Sequence, residues 1–146
     1  MNRLRKKLGD SHPGTIDIMS DLAGTYNEQG KYRDAEVLYK QCLAKRKEVL
    51  GENHPDTLST MNNLATAYHR QDKHRDAEVL YKQCFDKRKG VLGENHPTTL
   101  DTMGNLAVTY ESQGKYSDAK VLLKRCLDKM KVVLGENHPD TLDTVY

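Results

Sequence analysis

Apolar residues recur along this chain at the spacing of α-helices. In the first stretch they stand three or four positions apart, as one face of a helix with 3.6 residues per turn requires. That stripe consists of Ile16, Met19, Leu22, Ala23 and Tyr26. A second stripe follows in Ala35, Leu38, Tyr39, Cys42, Leu43, Val49 and Leu50. Together the stripes predict a pair of amphipathic helices, each with one buried face.

The pattern returns with a fixed period. A Leu-Gly-x-x-His-Pro motif begins at Leu8, Leu50, Leu92 and Leu134, each copy 42 residues after the one before. The second repeat refills the apolar positions with Met61, Leu64, Ala65, Tyr68, Ala77, Leu80, Tyr81 and Cys84. The third uses Met103, Leu106, Ala107, Tyr110, Ala119, Leu122, Leu123 and Cys126. A period of this size indicates stacked helical units, none of which buries its apolar face alone.

Glycine and proline mark the helix ends. Gly30 and Gly51 follow the two stripes, where a left-handed residue commonly ends a helix. Pro55 and Pro97 occupy expected first positions of helices. Asp72 stands where the other repeats have glycine, and Gly90 lies inside a predicted helix. We expect the second repeat to be the least stable, and the alternative is that neighbouring residues compensate fully.

These features predict an all-α solenoid of antiparallel helix pairs forming one domain over residues 1–146. Its full repeats span residues 13–50, 55–92 and 97–134. Residues 1–8 match the end of a preceding second helix, and residues 139–146 match the start of a fourth repeat. Because both ends fall inside helices, we expect a fragment of a longer array, whose uncapped ends could stack head to tail with another copy.

The repeat resembles the tetratricopeptide repeat, through Leu64, Ala65, Tyr68, Ala77, Tyr81 and Cys84 at that family's small and aromatic positions. The long period resembles the kinesin-light-chain subclass, as do the loop from Val133 to Leu142 and the segments 62–65 and 113–116. This resemblance implies a right-handed superhelix. It also implies that the first helices of the repeats line a concave groove, which holds an extended or helical peptide.

Residues beside the apolar stripe of each first helix are the candidate peptide-binding positions, which we call the first-helix face. They are Asp17, Ser20, Asp21, Asn27, Ser59, Asn62, Asn63, Thr66, His69, Arg70, Asp101, Asn105, Val108 and Glu111. Carboxylates outnumber cations among them, so the face is mildly acidic. The amides at its centre can both donate to and accept from a peptide backbone. We therefore expect a protein or peptide partner with a neutral or basic segment.

Family members that bind chaperones use lysine, arginine and asparagine to hold a C-terminal carboxylate. The corresponding positions here are Ser20, Gly24, Asn62, Thr66, Gly104 and Val108. The basic residues are missing, so an acidic C-terminal tail is not the expected ligand.

Composition narrows the possible functions further. Lysine and arginine (23) nearly balance aspartate and glutamate (21), which argues against a nucleic-acid partner. No apolar run is long enough to span a membrane, and residues 1–7 lack the apolar region of a secretory signal. The basic clusters at residues 45–47 and 87–89 are interpreted as surface that suits the helix dipole.

Two repeated residue types resemble chemical motifs. Cys42, Cys84 and Cys126 share one repeat position, and we expect them to be buried, unpaired thiols in a reducing, cytoplasmic compartment. His12, His54, His96 and His138 lie one repeat apart, too far to converge on a metal, and are expected to pack in loops. No nucleophile or phosphate-binding loop is recognisable, so we expect no cofactor and no enzymatic activity.

The leading interpretation is therefore a protein-interaction scaffold. The main alternative is a self-associating structural array. A further alternative, implied by the resemblance, is the ligand-recognition array of a larger nucleotide-binding immune-type receptor.

Overall fold

The computed structural model describes residues 12–134. They form six helices and, within that range, no strand: α1 (Pro13–Glu28), α2 (Tyr32–Leu50), α3 (Pro55–Arg70), α4 (His74–Leu92), α5 (Pro97–Ser112) and α6 (Tyr116–Leu134). The chain divides into two compact units, Met1–Lys73 and His74–Tyr146. The first contains α1 to α3, and the second contains α4 to α6. The expected partial helices at 1–8 and 139–146, and His138, lie outside the described residues.

Each first helix starts at the same motif. His12, His54 and His96 are the residues before the first turn, and each Nδ1 accepts a hydrogen bond from the backbone N–H two positions later, at 3.0–3.1 Å. A proline follows at the first helical position, where its missing N–H costs nothing. The expected loop-packing histidines are thus helix N-caps, because a ring nitrogen can satisfy an otherwise unpaired backbone donor.

The first helices end in one repeated turn. In α1, the N–H of Lys31 donates to the carbonyl of Tyr26 at 2.8 Å, and Gly30 between them has φ 78°. α5 ends in the same way, with φ 77° at Gly114. Asp72 takes this role after α3 with φ 63°, a left-handed conformation that glycine adopts more easily. The prediction that these positions terminate helices through left-handed backbone is confirmed.

In the first unit, α1 packs against α2, and α2 packs against α3. The predicted stripes form the core as far as the middle of each helix. Its most deeply buried apolar members are Ile16, Met19, Ala23, Ala35, Tyr39, Cys42, Leu58, Met61, Leu64, Ala65 and Ala67. Alanine at the crossing points lets the helix backbones approach closely, so a larger side chain there would overpack the core.

The second unit repeats this arrangement, with α4 on α5 and α5 on α6. Its core contains Ala77, Tyr81, Cys84, Leu100, Met103, Leu106, Ala107, Ala119, Leu122 and Cys126. The α2–α3 contact of the first unit thus recurs as α4–α5, and the α1–α2 contact recurs as α5–α6.

The end of the second-helix stripe was predicted wrongly. Val49 and Leu50 were expected to face inward, but they are 43% and 38% exposed. In this part of α2 the residue that faces inward is Arg46, which is 9% exposed. Arg88 occupies the same position in α4 and is 6% exposed. The middle arginine of each basic cluster is therefore buried, and the interpretation of these clusters as surface is wrong for it. An arginine can take such a position when its guanidinium finds buried oxygen acceptors.

Candidate functional site

The first-helix face lies opposite the buried stripe of each first helix. On α3, Asn62, Asn63, Thr66 and His69 are half-buried, whereas Ser59 and Arg70 are exposed. On α1, Ser20 and Asn27 are half-buried, and Asp17 and Asp21 are exposed. On α5, Asn105 is half-buried, and Asp101, Val108 and Glu111 are exposed. Each helix therefore presents a rim of accessible polar groups around partly covered amides.

Threonine hydroxyls bond the backbone carbonyls at two of the amide positions. The Thr66 hydroxyl donates to the carbonyl of Asn62 at 3.1 Å, one turn earlier in α3. In α5, the Thr109 hydroxyl donates to the carbonyl of Asn105 at 2.9 Å. The opposite side of α3 is anchored by Met61, at 1% exposed. The helix backbone that carries these amides is therefore hydrogen-bonded within its own helix, and α3 is packed on its buried side.

One member of the face has a partner within its own unit. Asp17 Oδ1 accepts a hydrogen bond from Arg46 Nη2 at 3.0 Å, and forms an ion pair with it. The Asp17 side chain remains 70% exposed. This pairing offsets part of the negative charge that the sequence assigned to the face, so Asp17 contributes less to it than Asp21 does.

Arg46 belongs to a buried polar cluster between α2 and α3 that the sequence analysis missed. Arg46 Nη1 donates to Thr60 Oγ1 at 2.7 Å, and the Thr60 hydroxyl donates to the carbonyl of Asp56 at 2.9 Å. Cys42 Sγ lies 3.9 Å from the same hydroxyl. The recurrence of arginine at 46 and 88 and of threonine at 60 and 102 was the available signal, because a polar residue that repeats inside an apolar stripe has a buried partner.

The second unit builds the same cluster between α4 and α5. Arg88 Nη1 donates to Thr102 Oγ1 at 2.6 Å and to the carbonyl of Thr98 at 3.4 Å, and Cys84 Sγ lies 3.9 Å from Thr102 Oγ1. The corresponding residue of α6 is Met130, whose Sδ lies 4.0 Å from Cys126 Sγ. We call the two sets centred on Arg46 and Arg88 the arginine clusters.

A second polar cluster, centred on Glu36 and called the glutamate cluster, joins α2 to the end of α3. Glu36 is 7% exposed, and its carboxylate accepts hydrogen bonds from Gln71 Nε2 at 2.9 Å and from Lys73 Nζ at 3.0 Å. Lys40 Nζ pairs with its other oxygen at 2.9 Å. Both lysines also lie over the ring of Tyr68, 5.6 and 5.7 Å from its centroid. A buried carboxylate is tolerated because several donors satisfy it together.

The second unit repeats this glutamate cluster. Glu78 accepts from Gln113 Nε2 and Lys115 Nζ, both at 2.9 Å, and from Lys82 Nζ at 3.1 Å. The two lysines lie 5.7 Å from the Tyr110 ring centroid. In both units burial raises the pKa of the glutamate, but hydrogen bonds from the lysines and the glutamine outweigh it and lower that pKa to about 2.

The three cysteines are buried and form no disulfide within the described residues, as predicted. Burial raises the pKa of each thiol, so none of Cys42, Cys84 and Cys126 has the exposed thiolate of a reactive cysteine. Among residues 12–134 no three histidine, cysteine or carboxylate side chains come together as a metal site would require. Within the same range, no helix is long and apolar enough to cross a membrane.

The three repeats match one known protein family. The family model of the tetratricopeptide repeat matches three consecutive segments, residues 15–56, 57–98 and 99–140. No curated protein sequence shows a significant match to the chain.

Solved structures share its fold. One is that of the TPR-like repeats of a protein described as a kinesin light chain, from Podosopora anserina. It has a TM-score of 0.85 and 26% identity, and the match covers 97% of this chain and 68% of that one. A variant of that protein has a TM-score of 0.86 with the same identity and coverage. BtubC (BKLC) from P. vanneervenii has a TM-score of 0.81 and 26% identity, over 89% of this chain and 52% of that one. The predicted all-α solenoid of helix pairs and the resemblance to kinesin-light-chain repeats are confirmed.

Proposed function

The chain belongs to the tetratricopeptide repeat family, whose repeats serve as protein-interaction scaffolds, and we propose that its first-helix face binds a peptide segment of a partner protein. The proposal assigns the chain a binding role and no catalytic one. The three buried cysteines form no disulfide within residues 12–134, which supports a reducing compartment, and we propose the cytoplasm.

The observation that carries this proposal is the contrast between the two sides of each first helix. On the buried side, equivalent residues of α3 and α5 are the same: Met61 and Met103, and Leu64 and Leu106. On the first-helix face most of them differ, as His69 against Glu111 shows, whereas the amide recurs at Asn63 and Asn105. A face used only for solubility has no need of half-buried amides, whereas a peptide needs donors and acceptors in fixed positions.

Charge supports a neutral or basic segment as the ligand. Asp21, Asp101 and Glu111 are exposed, and the Arg46 guanidinium engages only Asp17 among the acidic residues of the face. An approaching carboxylate would meet like charges, whereas a lysine or arginine would meet opposite ones. The partner should therefore lose affinity when acidic residues are introduced into its bound segment.

The test is a pull-down from cell extract with the 146-residue chain as bait. A variant carrying Asn62→Ala, Asn63→Ala and Asn105→Ala is compared with a matched control carrying Gln41→Ala and Gln83→Ala. The control residues are exposed on the second helices α2 and α4. Circular dichroism first establishes that both variants retain the native helix content.

A partner that binds the native chain and the control, but not the triple variant, is the expected result. Equal capture by all three proteins would contradict the proposal and move the binding surface off the first-helix face. Recovery of the chain alone would favour the self-associating array. For a captured partner, calorimetry on its bound segment checks the charge preference, and tighter binding of a more acidic segment would refute that part.

A further inference from the structure

An open cavity of about 120 Å³ lies in the first unit, where α1 and α3 begin and α2 ends. We call it the α2-end cavity. All of its lining residues belong to these three helices, and α3, the helix that follows α2, is in place and contributes Asp56. The cavity is therefore a feature of the complete set of three helices. It has room for about four water molecules of roughly 30 Å³ each, which is enough for one extended side chain and too little for a helix.

One wall of the α2-end cavity is apolar and open to solvent. Pro13 and Ile16 line the cavity from α1, and Val49 and Leu50 line it from α2. Val49 and Leu50 are the two residues that were expected in the core, and they are 43% and 38% exposed. Ile16 beside them is only 3% exposed. Two exposed apolar side chains next to a buried one form a surface that an aliphatic group would stabilise by covering it.

The charged groups of the cavity offer oxygen acceptors to a ligand. Asp17, Asp56 and Arg46 leave one net negative charge among the lining residues. Arg46 is 9% exposed, and its two terminal nitrogens already donate to Thr60 and Asp17. In contrast, Asp56 is exposed and the Asp17 side chain is 70% exposed. A ligand that enters from solvent therefore meets carboxylates, whereas the guanidinium is occupied behind them.

The ends of the three helices modify this charge without reversing it. The starts of α1 and α3 each contribute about half a positive charge, and the end of α2 contributes about half a negative one. At both starts a histidine Nδ1 already accepts from a backbone N–H, that of Gly14 in α1 and that of Asp56 in α3. The two carboxylates carry full charges and lie at the surface, so the cavity favours a cation.

We propose that the α2-end cavity binds a lysine side chain from the partner's peptide segment. The aliphatic stem packs on Val49 and Leu50, and the ammonium group donates to the carboxylates of Asp17 and Asp56. Asp17 also belongs to the first-helix face, so the inference rests on the proposed function. It specifies which residue anchors one end of the basic segment.

The probes are three acetylated and amidated five-residue peptides, in which alanines flank a central lysine, norleucine or glutamate. Each is titrated into the isotope-labelled 146-residue chain, and NMR follows the backbone amide signals. The lysine peptide should shift the amides of Ile16, Asp17, Val49 and Leu50 in a saturable way. The norleucine peptide has the stem without the charge, so it should shift the same amides with about threefold lower affinity. The glutamate peptide should leave them unchanged.

Three variants assign this preference to the cavity. Asp56→Asn keeps the side-chain shape and should weaken the lysine peptide about threefold, with no effect on the norleucine peptide. Val49→Ser should weaken both peptides to a similar degree, because it removes part of the apolar wall. Glu48→Gln, at an exposed position of α2 outside the lining, is the matched control for net charge and should change neither peptide. Circular dichroism first establishes that each variant keeps the native helix content.

Equal affinity for the lysine and norleucine peptides, a lysine preference that survives Asp56→Asn, or unchanged signals at all four amides would overturn the inference. The triple asparagine variant should bind the lysine peptide as the native chain does, since its substitutions lie outside the cavity. The pull-down tests the first-helix face and these titrations test the cavity, so failure of one proposal is distinguishable from failure of the other.

Discussion

The two units of this chain agree at their buried joints and differ on their first helices. The first unit joins α2 to α3 through Arg46 and Thr60, and the second joins α4 to α5 through Arg88 and Thr102. The glutamate clusters repeat equally closely, down to the two lysines that lie over each of the rings of Tyr68 and Tyr110. Because these contacts satisfy buried polar atoms, either unit would lose stability if one partner changed alone.

The first-helix face shows the opposite behaviour. Asn62 of α3 corresponds to Gly104 of α5, and Thr66 corresponds to Val108. None of these changes disturbs the helix, since the residues behind them are the same and equally buried. Repetition in this chain therefore marks the contacts that hold the helices together, while most of the variation lies on the side of the first helices that faces away from the core. Lys120 of α6, which stands where α2 and α4 have glutamate, is a second position of variation.

The largest effect is expected from truncating the arginine clusters. Arg46→Ala or Arg88→Ala removes a buried stem and its hydrogen bonds, and each should lower the free energy of unfolding by about 2–4 kcal/mol. Arg46→Met and Arg88→Met should stay within about 1 kcal/mol of the native chain, because methionine keeps the packing and Thr60 still donates to the carbonyl of Asp56. Denaturant unfolding followed by circular dichroism measures all four.

Hydrogen exchange then shows whether the units are equivalent. Arg46→Ala should weaken protection in α2 and α3, and Arg88→Ala should weaken it in α4 and α5. Methionine variants as unstable as the alanine variants would show that the charge, and not the packing of the stem, provides the stability. Methionine is a suitable substitution because Met130 is the native residue at the same repeat position in α6.

These clusters also mark the limit of sequence reasoning. The 42-residue period, the proline and glycine signals and the apolar stripes predicted the helix pairs, because they report local backbone geometry and burial. They could not place Arg46 inside, since hydropathy assigns a charged residue to the surface unless its partners are known. Its acceptors are Thr60 and Asp17, which lie 14 and 29 residues away, on neighbouring helices. Long-range pairing of this kind is carried by the fold and not by the local pattern.

A middle-sized effect is expected at the glutamate clusters. Glu36→Gln or Glu78→Gln keeps the shape but removes the charge that two lysines share, so each should lower the free energy of unfolding by about 1–2 kcal/mol near neutral pH. The pKa of each glutamate is lowered from 4.5 to about 2 in the folded chain. A lowered pKa stabilises the fold above pH 4.5, and this contribution is lost as the pH falls towards 2.

The acid dependence separates charge from shape. A variant that carries both Glu36→Gln and Glu78→Gln has glutamines that do not titrate at these positions. Between pH 4.5 and 2 the native chain should therefore lose stability more steeply than this double variant. The difference between the two proteins should therefore shrink as the pH falls. A constant difference across this range would mean that the carboxylates stabilise the joints by geometry alone.

The candidate site was less predictable than the fold. The sequence correctly placed the cysteines in the core, because a small apolar residue within an apolar stripe is simple to interpret. It gave a list of positions for the first-helix face, but not the pairing of Asp17 with Arg46. Nor did it reveal that Glu36 and Glu78 join their helices to Gln71 and Gln113, a role that Lys120 at the same repeat position of α6 cannot take.

The smallest expected effect concerns the one turn in which the units differ. Asp72 ends α3 with φ 63°, whereas Gly114 ends α5 with φ 77°. Asp72→Gly should stabilise the first unit by about 0.5–1 kcal/mol, and Gly114→Asp should destabilise the second by a similar amount, because only glycine adopts this conformation without strain from a Cβ atom. The double exchange should leave total stability nearly unchanged while it transfers the weaker turn from one unit to the other, which hydrogen exchange at the ends of α3 and α5 would detect. Loss of stability on Asp72→Gly would show that the aspartate side chain contributes more to this turn than its backbone strain costs.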